Sequence, residues 1–413
     1  GFSIFSALSG LSQNLDQILI FRVLQGVFSA PLVALSQSII VNAFPEKERG
    51  KALSFWTLGL LIGPLIGPLL GGYFAEHYSW RWVFLINVPI GIIAFIGSYI
   101  CLEENKINKK IKFAFLSFIF LALGASSMQL VLDRGQILDW FSSNFIINLT
   151  ISAVIFLFLF FLLYFIKSKT LFPKEIFFDS NYLGGLIFVF LFGLLLVPPF
   201  ILLPDFLSSL GGYPIDKIGL ILTTSGIGGM TGTLIASRLL SYGYYKPLMI
   251  IGLFGYMIGQ YYMTLWNSDV TMNMMIINGI IRGTGIGLFY PALATVTYVS
   301  LPSKFRDHGA SLFQFIRNLG SAVAIAIIVI LMDRFYKTNM SELSYRVKDN
   351  YNQNEGLFHN YNIYPLSIND TNYFIKLIAE ESHLISFVNI MYILTFLPLI
   401  FFPFFLLFKS KQR

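Results

Sequence analysis

The sequence predicts an all-α integral membrane protein, because apolar residues dominate it, charged residues are scarce, and long apolar segments recur along it. Hydrophobic residues make up 56% of the 413 residues, charged residues make up 12%, and the mean hydropathy is +0.71. A soluble domain carries about 25% charged residues. A segment of about 20 apolar residues crosses a bilayer, and it does so as a helix because a helix satisfies its own backbone hydrogen bonds.

Twelve apolar segments are predicted, separated by polar connections. They are 1–12, 18–43, 52–75, 81–102, 112–132, 146–167, 182–204, 217–239, 247–266, 272–299, 308–332 and 384–408. The chain begins with Gly1 inside a span-like stretch, so we expect it to be part of a longer protein.

Basic residues predict the orientation of the spans. Seventeen of the 28 Lys and Arg residues lie in alternate connections and in the C-terminal tail, whereas the opposite short connections contain only Arg81, Arg134 and Lys217. Basic connections stay on the cytoplasmic side. We therefore expect a cytoplasmic C-terminus and an external, largely unstructured loop over 333–383. The net charge of +7 reflects orientation and does not indicate a nucleic-acid partner.

The sequence contains no pattern typical of an enzyme or of a cofactor site. Its one cysteine, Cys101, cannot form a disulfide framework, and its four histidines show no metal-ligand spacing. Neither a phosphate-binding loop nor a nucleophile–base pair is present. We therefore expect a protein without cofactor or catalytic residues, driven by an ion gradient instead of ATP.

Two stretches of the chain repeat each other with the same polarity. Arg22 and Arg282 are 260 residues apart, and so are Pro31 and Pro291. Each pair precedes a connection of the form Pro-x-x-x-Arg, at 45–49 and at 302–306. Two parallel repeats of this kind are typical of transporters built from two related helix bundles.

Three arginines lie inside predicted spans, where a charge is costly and usually functional. Arg22 shares a helix face with Gln25 and Ser29, which favours a cavity-lining role in coupling over a purely structural one. Arg282 is flanked by glycines, so tight packing and function are equally good explanations. Arg317 likewise fits either a cavity role or helix–helix hydrogen bonding.

Four further polar or aromatic residues within spans are candidates to line a substrate cavity. They are Gln37, Gln260, Tyr290 and Gln314. Hydrogen bonding between helices explains any single buried polar residue equally well, and an aromatic residue can also face lipid.

The third segment carries glycines at every fourth position, which form one bare stripe on a helix. The stripe and its neighbours are Gly59, Gly63, Pro64, Gly67, Pro68, Gly71 and Gly72. Such a stripe predicts the close approach of another helix, and the prolines predict bending.

These motifs resemble those of a known transporter family. Residues 59–72 resemble the motif C of antiporters in the major facilitator superfamily, and residues 22–26 (Arg-Val-Leu-Gln-Gly) resemble their motif B. Residues 79–91 and the stretch 132–142 resemble segments of the fourteen-span drug:proton antiporters of EmrB/QacA type. Together with Arg317-Asn318-Leu319-Gly320, the resemblance extends over most of the chain.

The resemblance implies a major facilitator fold of two pseudo-symmetric bundles plus a central helix pair. The twelve segments would be spans three to fourteen, so the chain would lack the first two of fourteen. The implied domains are an N-terminal bundle at 1–105, the central pair at 106–175 and a C-terminal six-helix bundle at 176–413.

The resemblance also implies function. We expect proton-coupled export of hydrophobic or cationic toxic compounds across the bacterial inner membrane by alternating access. There are two alternatives. The protein could export one dedicated metabolite or siderophore, or it could be a truncated remnant that does not transport. A periplasmic adaptor protein is an expected partner at 333–383. Because no Asp or Glu lies deep in a span, we expect the proton-binding carboxylate in the absent spans, tuned by Arg22.

Overall fold

The computed structural model describes residues 1–101, 114–166, 171–209, 212–267, 270–353 and 368–408. Within these ranges the chain forms helices and no strand. The α-helices are α1 (Phe2–Gly10), α2 (Leu15–Ala43), α3 (Glu46–His77), α4 (Trp82–Leu85), α5 (Asn87–Cys101), α6 (Phe115–Arg134), α7 (Asn144–Ile166), α8 (Ser180–Leu196), α9 (Pro198–Ser209), α10 (Ile215–Leu240), α11 (Tyr245–Thr264), α12 (Met272–Tyr298), α13 (Arg306–Gln353) and α14 (Ile368–Phe401).

The apolar segments of the sequence form these helices. Among the described residues, eight helical stretches are long and apolar enough to cross a membrane, which confirms a multi-pass all-α membrane protein. Two of the eight are interrupted helices: α4 continues into α5, and α8 continues into α9. The second break precedes Pro198, whose ring nitrogen cannot donate a helical hydrogen bond. The remaining predicted segments form α1, α3, α11 and α12.

The prediction of an unstructured loop over 333–383 is wrong for the residues that the structure describes. Helix α13 runs for 48 residues, about 72 Å at the usual rise, and α14 begins at Ile368. Ion pairs one turn apart stabilise the extension of α13, for example Lys337 with Asp333. Asn339 donates to Ser386 across to α14 at 3.0 Å. Residues 354–367 lie outside the described part of the chain.

The C-terminal helices pack with backbones in contact. On α10, Gly228 and Gly232 face α12, and on α12, Gly283 and Gly287 face α10. A methyl group at Gly283 would overlap the carbonyl oxygen of Ser225. Small residues on both helices permit this approach. The tight packing that the glycines next to Arg282 predict is therefore present.

The N-terminal helices α1–α5 pack loosely by comparison. In the most apolar part of α4–α5 no residue is buried, whereas 61% of residues are buried in the corresponding part of α8–α9.

Helices α6 and α7 form a hairpin in which the hydroxyl oxygens of Ser127 and Ser152 lie 3.2 Å apart. The predicted boundary between 105 and 106 falls outside the described residues.

One hydrophobic core joins the N-terminal and C-terminal helices. Val41 of α2 and Leu53 of α3 belong to the same buried cluster as Phe188, Tyr290 and Phe313. The predicted repeat is also visible, because α2–α3 and α12–α13 are each a helix with an internal proline, a short connection and a second helix. The candidate site lies where these two copies meet.

Candidate functional site

Two glutamines from the two repeats form a hydrogen-bonded pair, named here the glutamine pair. The amide nitrogen Nε2 of Gln314 on α13 donates to Oε1 of Gln37 on α2 at 2.8 Å. The hydroxyl of Tyr298 on α12 donates to the same oxygen at 3.5 Å. Gln37 is 0% exposed, so the pair is removed from solvent and lipid alike.

The glutamine pair leaves hydrogen-bonding capacity unused. Nε2 of Gln37 and Oε1 of Gln314 are buried and have no hydrogen-bond partner among the described residues. A buried polar atom without a partner costs about 1–3 kcal/mol. Most buried polar groups in proteins avoid this cost, so the two atoms require an explanation.

An aromatic group lies further along the same helices. The ring of Tyr290 stacks on Phe192 of α8 with centroids 4.4 Å apart and lies 6.4 Å from Trp56 of α3. Arg317 donates from Nη1 to the Tyr290 hydroxyl at 3.5 Å. Phe313 connects this group to the glutamine pair, since its ring is 6.3 Å from Tyr290 and 5.6 Å from Tyr298.

A carboxylate joins the two repeats on the other side of the glutamine pair. Asp307 at the start of α13 accepts a short hydrogen bond from the Ser38 hydroxyl and a longer one, 3.4 Å, from Nδ2 of Asn42. Arg306 donates to Oδ1 of Asn42 at 3.2 Å and to the carbonyl of Val41 at 3.4 Å. We name these contacts the Asp307 junction.

Sequence reasoning identified Gln37, Tyr290, Gln314 and Arg317, but it missed the Asp307 junction. Asp307 lies next to the end of a predicted span, where a carboxylate is unremarkable. The matching Pro-x-x-x-Arg connections were the available signal, because the same repeat that pairs 45–49 with 302–306 also brings the ends of α2 and α13 together.

Two predicted site residues lie elsewhere, inside the C-terminal bundle. Arg282 is 2% exposed and donates from Nη2 to the Ser225 hydroxyl at 2.7 Å and from Nη1 to Met263 Sδ at 3.6 Å. No carboxylate of the described chain lies within ion-pair distance of it. Gln260 is also buried, and its Nε2 donates to Met391 Sδ of α14 at 3.6 Å.

Arg22 occupies a different environment from its repeat partner Arg282. Its side chain is exposed, donates from Nη1 to Oε1 of Gln25 at 2.9 Å and lies 5.5 Å from the Phe84 ring. The predicted shared face therefore holds for Arg22 and Gln25. Ser29 instead donates to the carbonyl of Gly26 at 3.0 Å.

Within the described residues, no helix contacts the glycine stripe as predicted. A methyl group at any of four stripe glycines would meet no neighbouring atom within 4 Å. The four are Gly59, Gly63, Gly67 and Gly71. Helix α3 also contains Pro64, Pro68 and Gly72. It packs against α10 through other positions, including Gly50 against Leu240. The spacing of glycines predicts that one face of a helix is bare, but it does not predict whether another helix covers that face.

Comparison with known proteins identifies the family. Residues 1–211 match the model of the Major Facilitator Superfamily, and residues 181–347 match that of the Sugar (and other) transporter family. The chain belongs to the major facilitator superfamily. Its sequence relatives place it in the EmrB-type branch.

Three relatives illustrate the match. The probable multidrug resistance protein EmrY of Escherichia coli (strain K12) is 30% identical over 83% of this chain and 67% of its own length. The multidrug export protein EmrB of Haemophilus influenzae is 27% identical over 93% and 76%. The fatty acid resistance protein FarB of Neisseria gonorrhoeae is 28% identical over 81% and 66%. The chain thus spans about two thirds to three quarters of the length of these relatives.

Two solved structures share the fold at low sequence identity. The proton:xylose symporter XylE superposes with a TM-score of 0.53 at 14% identity, covering 94% of this chain and 77% of XylE. A bacterial homologue of the human lysosomal transporter Spinster, in an inward-facing conformation, gives a TM-score of 0.50 at 15% identity, covering 100% and 83%. The matched family is a family of transporters, and the two solved structures share its fold.

Proposed function

We propose that the protein is a secondary active multidrug exporter that exchanges protons for hydrophobic or cationic toxic compounds across the bacterial inner membrane. The observation that supports this most is the site between the two repeats, where the glutamine pair and the aromatic group lie together. An aromatic surface with few polar groups suits amphipathic compounds of varied shape. The family relationship to named multidrug export proteins supports the same function.

The contacts between the repeats suggest how access alternates. The glutamine pair and the Asp307 junction hold α2 against α13 near the connections at 44–45 and 299–305. Transporters of this architecture expose a central site by rocking one bundle against the other. In the proposed cycle these contacts break when the site opens on that side.

Orientation is part of the proposal. The excess of basic residues at 44–51 and 301–306 supports a cytoplasmic location for that end of the molecule and for the C-terminus. The extensions of α13 and α14 then project from the opposite face and would present a surface to a periplasmic adaptor protein. A reporter fused after Arg413 should be active in the cytoplasm and one inserted at Asn352 should be active outside; the reverse pattern would contradict this orientation.

Proton coupling requires a group that changes its charge. The guanidinium groups of Arg22, Arg282 and Arg317 remain protonated in proteins. Because no Asp or Glu lies deep in a predicted span, we propose that the proton-binding carboxylate lies outside these 413 residues and that Arg22 tunes it. Vesicles containing only the 413-residue form should then show no export driven by a pH gradient. Robust export there would contradict this coupling scheme and would make Asp307 the leading carboxylate.

The proposed function is tested by export in cells. The open reading frame that encodes these residues, with all of its in-frame upstream codons, is expressed in a host that lacks its own efflux pumps. Reduced accumulation of several unrelated aromatic compounds, abolished by a protonophore, is the expected result. Export of a single compound class would indicate a dedicated exporter, and no export of any compound would indicate a protein that does not transport.

A further inference from the structure

The glutamine pair has a hydrogen-bonding pattern that one ligand group would complete. Gln37 and Gln314 come from different repeats, and each uses one atom of its amide to bond the other. The remaining atoms are one donor, Nε2 of Gln37, and one acceptor, Oε1 of Gln314. If the O and N assignments of both side-chain amides are exchanged, Gln37 becomes the donor and Gln314 the acceptor of their shared hydrogen bond. One donor and one acceptor still remain unpaired.

The surroundings of the glutamine pair do not supply the missing partners. The Tyr298 hydroxyl already donates to Oε1 of Gln37, and the Tyr298 ring lies 5.6 Å from the Phe313 ring. The nearest cation along α13, Arg317, directs its Nη1 to Tyr290 and its Nη2 to Asn318. The two atoms therefore have no partner among the described residues, and a molecule would reach them when the repeats part in the proposed cycle.

We infer that the glutamine pair is a substrate-recognition site for a neutral carboxamide or a similar group that carries a hydrogen-bond acceptor beside a donor. The acceptor of the ligand would take the N–H of one glutamine, and its donor would bond the carbonyl of the other. The aromatic body of the same ligand would lie toward Tyr290 and Trp56. This inference rests on the proposed function, because it concerns the polar specificity of that same site.

Binding of a matched ligand series tests the inference. The full protein is placed in lipid nanodiscs, and equilibrium dialysis against empty nanodiscs measures the affinity for naphthalene-2-carboxamide, 2-acetylnaphthalene and 2-methylnaphthalene. The three share an aromatic body but offer a donor and an acceptor, an acceptor alone, or neither. Two neutral hydrogen bonds predict that the carboxamide binds about tenfold more tightly than the methyl compound, with the ketone between them.

Variants assign that preference to the glutamine pair. In Gln37→Leu/Gln314→Leu the three compounds should bind equally, while either single variant should keep part of the preference because one amide remains. Gln260→Leu is the matched control: it also removes a buried glutamine, but one that contacts Met391 within the C-terminal bundle, so the tenfold ratio should persist. Gln37→Met/Gln314→Met replaces the double leucine variant if that protein does not fold.

The outcomes separate this inference from the proposed function. Equal binding of the three compounds by the wild-type protein, or a preference that survives in the double variant, would overturn the inference and would leave the pair as a contact filled by water. A preference that disappears only in the double variant supports it. If that preference is present but cells show no export, the proposed function fails while the recognition site stands.

Discussion

The first hundred residues and the C-terminal helices both contain glycines four residues apart, but the two regions pack differently. In α8–α13, glycines mark places where backbones touch, as at Gly283 and Gly287 against α10. In α3, glycines at the same spacing face open space. The same sequence signal therefore identifies a bare helix face in both regions but a helix–helix contact in only one.

The two regions also treat a charged residue differently. Arg22 and Arg282 occupy matching places in the repeat, yet Arg22 is exposed and bonds a glutamine one turn away, while Arg282 is enclosed by three helices.

The largest effect is expected at the glycine contacts. Gly283→Leu should destabilise the protein by more than about 3 kcal/mol, because a side chain there overlaps the backbone of Ser225 and forces α10 and α12 apart. Gly63→Leu should change stability by less than about 0.5 kcal/mol, since no atom of the described residues lies within 4 Å of a methyl group at that position. Thermal unfolding of the purified proteins measures both, and equal destabilisation would show that the stripe is covered.

Export by Gly63→Leu gives separate information. The glycine stripe predicts that this variant reaches the membrane but transports poorly, which now requires that a helix approaches the stripe in another conformation of the cycle. Normal export together with normal stability would show that the stripe makes no close contact at any stage.

A smaller difference is expected for two phenylalanines. Phe188 is 0% exposed and stacks among Phe405 and Phe408, whereas Phe95 is 72% exposed. In a bilayer the loss on truncation is mainly one of packing contacts, so Phe188→Ala should cost about 2 kcal/mol and Phe95→Ala almost nothing. Unfolding of the two variants by detergent titration measures both losses in the free energy of unfolding. A comparable loss from both would mean that α5 is packed against a partner.

The arginines should give the smallest and most diagnostic effect. A buried cation without a carboxylate partner is costly, so Arg282→Met should leave stability unchanged or raise it by about 1 kcal/mol. If export nevertheless stops, Arg282 has a role in transport; a marked loss of stability would instead identify it as structural. Arg22→Met should not alter stability but should abolish proton coupling, and Arg22→Lys should retain part of it.

The sequence was sufficient for the helices, because a span of apolar residues in lipid has one satisfactory conformation. It was also sufficient for the repeat, since Arg22, Pro31 and their counterparts recur at one spacing. Polar residues within spans stand out in the sequence, but their partners are not predictable from it. Which side chain Gln37 meets depends on how the two repeats pack, and nothing in local spacing encodes that.

Two errors share a physical cause. Residues 333–353 look like a solvated loop by composition, yet ion pairs one turn apart and contacts with α14 keep them helical. The glycine stripe looks like an interface, yet no helix covers it here. In both cases local composition and spacing are compatible with more than one structure, and packing against neighbouring helices determines which one forms.

The central claim is that the two repeats meet at the glutamine pair and the Asp307 junction and must part there during transport. It is tested most directly by linking Ser38→Cys to Asp307→Cys with a short bis-methanethiosulfonate, in protein whose other cysteines, including Cys101, are replaced by serine. The unlinked double variant is the reference for export. The account predicts that linking stops export and that a reducing agent restores it to the reference rate. Export that continues unchanged in the fully linked protein would contradict it.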